Sequence, residues 1–156
     1  MIEIDLPPAI EARLITALQR AGTSEIGGVL MGEHTGHNAF RIAEISVQDR
    51  GGSFAAFVRN IAFALESLGN YFVRTNHDYR KFNYLGEWHS HPSFEARPSC
   101  RDNQSMYDII NDPAVGAQFA VLLIVKIGAA STMEATATVF VPGHAPVFAS
   151  LSREDK

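Results

Sequence analysis

One cysteine, Cys100, stands in a chain of 156 residues, which rules out an intrachain disulfide and any metal cage built from several thiolates. That scarcity agrees with a reducing compartment, and a cytoplasmic protein is the expectation. The N-terminus MIEIDLPPAIEARL lacks the basic region and apolar run of a signal peptide, so no export signal is expected. Long hydrophobic runs are missing too. The longest, FAVLLIV at 119–125, falls far short of the ~20 residues needed to cross a bilayer and reads as a buried strand, so no membrane partner is expected. There is no Lys/Arg cluster, and the net charge is −4, which argues against nucleic acid as a main partner. No repeat, low-complexity tract or polar linker divides the chain. A single domain of this length can bury ~70% of the surface of its unfolded form and needs no disulfide to fold.

What the chain does contain is a regular alternation of strand and helix signals. Met1–Asp5 alternates weakly as a first strand, and Pro7-Pro8 opens a helix carrying Ile10, Leu14 and Leu18 on one face, with Gly22 as its stop. Residues 26–33 are apolar and bear glycines, Thr35-Gly36-His37-Asn38 reads as a hairpin turn, and Phe40–Val47 returns. Gly51-Gly52 marks a further turn. Asn60 can cap a second helix with Ile61, Leu65, Leu68 and Phe72 facing a sheet. Tyr84–Ser90 is a strand, and Arg101–Asn111 is a third helix with Met106, Ile109 and Ile110 inward, stopped by Asp112-Pro113. Residues 117–127 and 133–141 supply two more strands, while 152–156 is expected to fray. This mixture predicts a single-domain α/β fold, a mixed β-sheet flanked by helices, rather than a doubly wound parallel sheet.

The chemistry concentrates in GEWHSHPSFEARPSCRD. Side chains alternate along a strand, so His89 and His91 share a face and their ring nitrogens can converge on one ion. Asp102 can return from the start of the next helix as a third ligand, leaving a fourth tetrahedral position for water, the pattern of a catalytic rather than a structural zinc. Each piece also has a plainer explanation. Ser99-Cys100-Arg101-Asp102 ahead of an apolar helix matches a capping box, and a bare H-x-H can be the wet face of an edge strand. Taken together they favour a metal site, and a Ser held as a helix cap is rigid enough to serve as a catalytic hydroxyl.

A general base must come from elsewhere. Glu25, at the head of the SEIGGVLMG strand, is the candidate, because Gly27 and Gly28 permit close backbone approach beside it; on position alone an ordinary surface acid is the better explanation. Glu87 competes, since it alternates onto the face of His89 and His91, although a partner hydrogen-bonded behind a ligand is an equal reading. Nucleobase deaminase chemistry is excluded by the missing P-C-x-x-C, and no H-E-x-x-H is present. Cys100 lacks an orienting partner for a nucleophile. His34, His37, His77 and His144 read as solvated loop residues.

E-I-G-G-V-L-M-G followed downstream by H-S-H-P, six residues, S, two residues and D resembles the JAMM motif of MPN-type metalloproteases. The resemblance implies a JAMM/MPN domain of cytidine-deaminase-like layout over roughly 1–145, with 146–156 as a C-terminal tail. It implies a zinc isopeptidase acting at the C-terminus of ubiquitin-like proteins. Residue by residue, His89, His91 and Asp102 would hold Zn²⁺, Glu25 would activate water, and Ser99 would stabilise the oxyanion. The G-E-W before the histidines and the short flanks look like the compact bacterial branch called Prok-JAB. Members of that branch are encoded beside activating-like and conjugating-like enzymes, including antiphage systems, or process ubiquitin-like sulfur carriers. The partners it implies are therefore a ubiquitin-like protein or its conjugate and those enzymes of the same operon. An extended tail would lie by the Ser93–Pro98 loop and pair with a nearby edge strand. A non-catalytic MPN scaffold and a zinc-binding module are the remaining readings.

Overall fold

The computed structural model describes residues 1–48 and 61–153, with only the backbone described over 61–64. The expected turn at Gly51-Gly52 and the Asn60 cap lie outside the described residues. The elements in order are β1 (Glu3–Asp5), α1 (Pro8–Ala21), β2 (Gly27–Gly36), β3 (Ala39–Ile45), α2 (Ile61–Arg74), β4 (Phe82–Ser90), α3 (Cys100–Ile110), β5 (Ala120–Ile127), β6 (Met133–Phe140), β7 (Val147–Phe148) and β8 (Ser150–Ser152). The strands form a mixed sheet in the order β7-β6-β5-β4-β2-β3-β1-β8. Pairs β1/β3, β1/β8 and β4/β5 are parallel, and the rest are antiparallel. A mixed sheet between helices is the architecture that the sequence pattern predicts.

Each helix covers the sheet with the stripe that its spacing provides. In α1, Ile10, Leu14, Ala17 and Leu18 pack with Ile4, Leu30, Trp88 and Leu123 on one face, and the helix ends at Gly22, whose φ of 61° suits glycine and whose N–H donates to the Leu18 carbonyl at 3.1 Å. Helix α3 covers the other face, where Met106, Ile109 and Ile110 meet Leu122, Ile124 and Phe140. Helix α2 lies on the same side through Tyr71, Leu68 and Phe72 above Val29 and Met31. Leu65, expected inward, is exposed, and among the described side chains of α2 it is Leu68, Tyr71 and Phe72 that meet the sheet. Strand β5 is buried on both faces, which is why it reads as one unbroken apolar run.

Residues 147–152 take part in the sheet. Only Ala149 separates β7 from β8, yet these strands stand at opposite ends of the strand order, so the sheet curls until its two ends meet. Ala149 N–H donates to the Ala137 carbonyl at 2.9 Å, Ser150 N–H to Ile2 at 3.0 Å and Leu6 N–H to Ser152 at 2.7 Å. Arg153 continues inward with an ion pair to Glu11. The described part of the stretch set apart as a tail after 145 therefore closes the fold, and Ser152 is paired rather than frayed.

Candidate metal centre

Strand β4 brings the histidines into the middle of the sheet. It runs between β2 and β5, with Gly27 opposite His89 on one side and Ile124 on the other, so the wet edge-strand explanation of H-x-H does not hold. Alternation sends Trp88 and Ser90 to the α1 side and Glu87, His89 and His91 to the α3 side. Two glycines let β2 approach its neighbours closely. A Cβ on Gly27 would stand 2.5 Å from the Trp88 carbonyl, and one on Gly28 would fall on the Ser46 carbonyl, which already accepts the Trp88 indole N–H at 2.8 Å.

Three buried side chains converge at the end of β4. His89 Nε2 lies 2.8 Å from His91 Nε2, Asp102 Oδ1 is 3.4 Å from His89 Nε2, and Asp102 Oδ2 is 3.2 Å from His91 Nε2. Their ligand atoms all fall within 4.8 Å of one another, and the residues are 2%, 2% and 4% exposed. His91 Nδ1 donates to the Glu95 carbonyl at 2.7 Å, which leaves its Nε2 lone pair directed into the cluster. Among the described residues no Lys or Arg pairs with Asp102. Buried carboxylates are ordinarily neutralised by a paired cation or a coordinated metal, and two imidazoles with one carboxylate suit a divalent transition metal such as zinc. The residues fit such an ion.

The electrostatics follow from this packing. Burial opposes ionisation of Asp102, yet hydrogen bonds and charge from His89 and His91, with the Ser99 N–H, hold its carboxyl well below the usual carboxylate range. Burial lowers the pKa of His89 below its ordinary value in spite of Asp102. For His91 burial works in the same direction but is outweighed by hydrogen bonds to Asp102 and the Glu95 carbonyl and by the charges of Asp102 and Glu25, so its pKa is raised.

The capping box and the donor set prove to be one structure. Ser99 caps α3: its Oγ accepts the Asp102 N–H at 3.2 Å, and its own N–H donates to Asp102 Oδ2 at 2.8 Å. The cap therefore holds the carboxylate against the histidines. The Ser99 hydroxyl accepts in this contact, and its own proton stays available to donate.

The two candidate acids occupy different environments. Glu25 is half-buried two residues before β2, and its charge acts on both His89 and His91. Glu87 is buried further along β4, where its Oε1 accepts the Tyr84 hydroxyl at 2.8 Å. Burial pushes the Glu87 pKa up to about 8, only partly offset by that hydrogen bond. Cys100 is exposed at the first turn of α3. His34 stacks on Phe40 at 4.9 Å, and His144 bonds the Pro142 carbonyl at 3.0 Å, both away from the cluster.

Several contributors escaped the sequence reading. The Phe94 ring, half-exposed, lies 4.4 Å from the His91 ring, and Thr136 Oγ1 donates at 2.6 Å to the Ala96 carbonyl, which ties the loop between the ligands to β6. Carbonyl acceptors such as those of Glu95 and Ala96 leave no mark in a sequence. Phe94 was readable only as an apolar residue placed between ligands.

A curled mixed sheet with helices on both faces and a buried His-His-Asp set at the end of an internal strand defines an α/β domain able to hold a metal ion. The chain belongs to the prokaryotic homologs of the JAB domain, whose family model matches residues 7–139. Among solved structures it is similar to protein DSY2949 from Desulfitobacterium hafniense, at 16% identity and a TM-score of 0.68, covering 98% of this chain and 94% of that one. It is also similar to a protein from Salinibacter ruber, at 19% identity and a TM-score of 0.57, covering 97% and 92%. These likenesses show a shared fold. A search of curated proteins finds no match. Among the described residues no helix is long and apolar enough to cross a membrane.

Proposed function

We propose that this chain is a zinc-dependent isopeptidase that hydrolyses the bond following the C-terminus of a ubiquitin-like protein. The observation that carries this reading is the buried His89, His91 and Asp102 donor set with the Glu25 charge beside it. When bound there, zinc supplies Lewis acidity, lowering the pKa of a water molecule to ~7 and polarising the amide carbonyl. The Glu25 carboxylate accepts the water proton and delivers it to the departing amine, which for a lysine side chain is a poor leaving group until protonated. The Ser99 hydroxyl donates to the oxygen that gains charge, an interaction that accelerates the reaction only to the extent that it strengthens in the transition state. Glu87 serves poorly as the base, because its carboxyl is turned to Tyr84 and its raised pKa keeps it largely protonated at neutral pH.

Substrate recognition rests on the loop between the ligands. Residues 93–98 are tied to His91 and to β6, and Phe94 offers a half-exposed aromatic surface beside the cluster. The Phe94 ring and the Ser99 cap stand beside the cluster, and small residues next to the scissile bond are the ones expected to fit against them. The partners in this reading are a ubiquitin-like protein and its conjugates, with activating-like and conjugating-like enzymes of the same operon, in the cytoplasm. The test is incubation of zinc-loaded protein with a fusion or conjugate of the ubiquitin-like protein encoded beside it, the cut being located by intact mass. Cleavage directly after the C-terminal residue of the ubiquitin-like domain is expected. Cleavage of unstructured peptides with equal efficiency would instead indicate a general peptidase.

A further inference from the structure

Ser90 stands between the two histidines on β4 but faces the other way, into the α1 side of the sheet, and is 1% exposed. It lies directly across from Ile26, since the register that pairs Gly27 with His89 continues by one residue. A regular antiparallel pair at such a position exchanges two main-chain hydrogen bonds. Here the Ser90 N–H donates to the Ile26 carbonyl at 2.9 Å, but the Ile26 N–H donates at 3.0 Å to the Ser90 hydroxyl. A side-chain oxygen completes the last pair of the ladder, and the next residue out is Glu25.

This contact fixes the direction in which the chain leaves β2. Ile26 is buried, so its N–H has no access to solvent, and losing the hydroxyl would leave a buried donor without a partner. Alternation from Gly27, which faces His89, places Glu25 on the histidine side only while Ile26 stays in register. We infer that Ser90 is a positioning residue for Glu25: through its hydrogen bond to the Ile26 N–H it sets the carboxylate at the metal-capable cluster. The inference rests on the proposed role of Glu25 as base. A matched control lies nearby in Ser46, also buried, whose hydroxyl accepts the Val29 N–H at 2.9 Å, farther along β2 from Glu25.

The experiment compares Ser90→Ala, Ser90→Thr and Ser46→Ala with the unaltered zinc-loaded protein. Fusion cleavage, zinc per chain and the exchange rate of the Ile26 amide are measured for each. A displacement of about 1 Å can cost ~10²-fold in rate, so Ser90→Ala is expected to lower kcat about 10- to 100-fold with KM and zinc content unchanged and Ile26 exchange accelerated. Ser90→Thr restores kcat and protection, while Ser46→Ala keeps kcat. In a Glu25→Gln background, Ser90→Ala adds no further loss. If Ser90→Ala fails to fold, Ser90→Cys, which has similar volume and a far weaker acceptor, takes its place. Unchanged kcat in the Ser90 variant, an equal loss in Ser46→Ala, or multiplying losses with Glu25→Gln would each overturn the inference. A wild-type protein that leaves the fusion uncut, or a fully active Glu25→Gln, would bring down the proposed reaction and this inference with it. An inactive Glu25→Gln beside an active Ser90→Ala overturns the inference alone.

Discussion

Two clusters of charged side chains differ in how they are balanced. On the β1/β3 side, Arg41 reaches Asp5 and Glu33 at 3.2 Å each, and Lys81 approaches Glu33 at 3.8 Å, with the two cations 42% and 53% exposed. Arg41 is shared by the two acids and Lys81 adds to Glu33, so partly exposed cations offset both carboxylates. At the end of β4 the donors are short, buried and drawn from separate elements, and no Lys or Arg pairs with Asp102 among the described residues. The first arrangement is ordinary surface compensation, worth little to stability. The second gathers lone pairs where solvent cannot neutralise them, which is useful only if something else supplies positive charge.

The largest effect that would sharpen this contrast is kinetic. Glu25→Gln should leave zinc content and fold intact while lowering turnover by ~10²–10⁴-fold, the usual contribution of a positioned base. A dead Glu87→Gln beside an active Glu25→Gln would reverse the assignment of the two acids. Ser99→Ala should lose ~10²–10³-fold, as for one oxyanion donor, and about 1 kcal/mol of stability from the missing cap. A thermal melt recorded with the kinetics separates the two contributions.

Smaller effects concern stability alone. Glu87 has its folded pKa raised from 4.5 to about 8, so the folded state holds its proton across that interval while the unfolded chain releases it. Its contribution is thus favourable at low pH and is lost as pH rises toward 8. In chelator-treated protein, Glu87→Gln should therefore gain in Tm relative to wild type at pH 8 and show little difference at pH 4; an equal difference at both would refute the buried, protonated carboxyl. Arg41→Ala should cost under about 1 kcal/mol, with the loss shrinking at high salt, and leave turnover unchanged. A loss of activity there would erase the distinction between the clusters.

The parts legible in the sequence are those written in side-chain chemistry. Alternation and helical spacing marked α1, α3, β4 and β5, and the H-x-H and S-x-x-D spacings marked the residues that the fold brings together. The competing explanation of Ser99 and Asp102 was also sound, because one carboxylate caps the helix and faces the histidines. What stayed hidden depends on the backbone. Strands β7 and β8 are two and three residues long, follow VPGHAP and carry little apolar pattern, so their pairing across the curled sheet could not be read. Ser90 carries no signal of its own in the sequence, because its partner is the N–H of Ile26, distant in sequence.

Metal content reports directly on the His89, His91 and Asp102 site. Purified wild-type protein exposed to zinc and desalted should carry about one zinc per chain, and the His89→Ala, His91→Ala double variant should carry none while remaining folded, since the core does not depend on the ion. Stoichiometric zinc retained by the double variant, or none held by the wild type, would contradict the account.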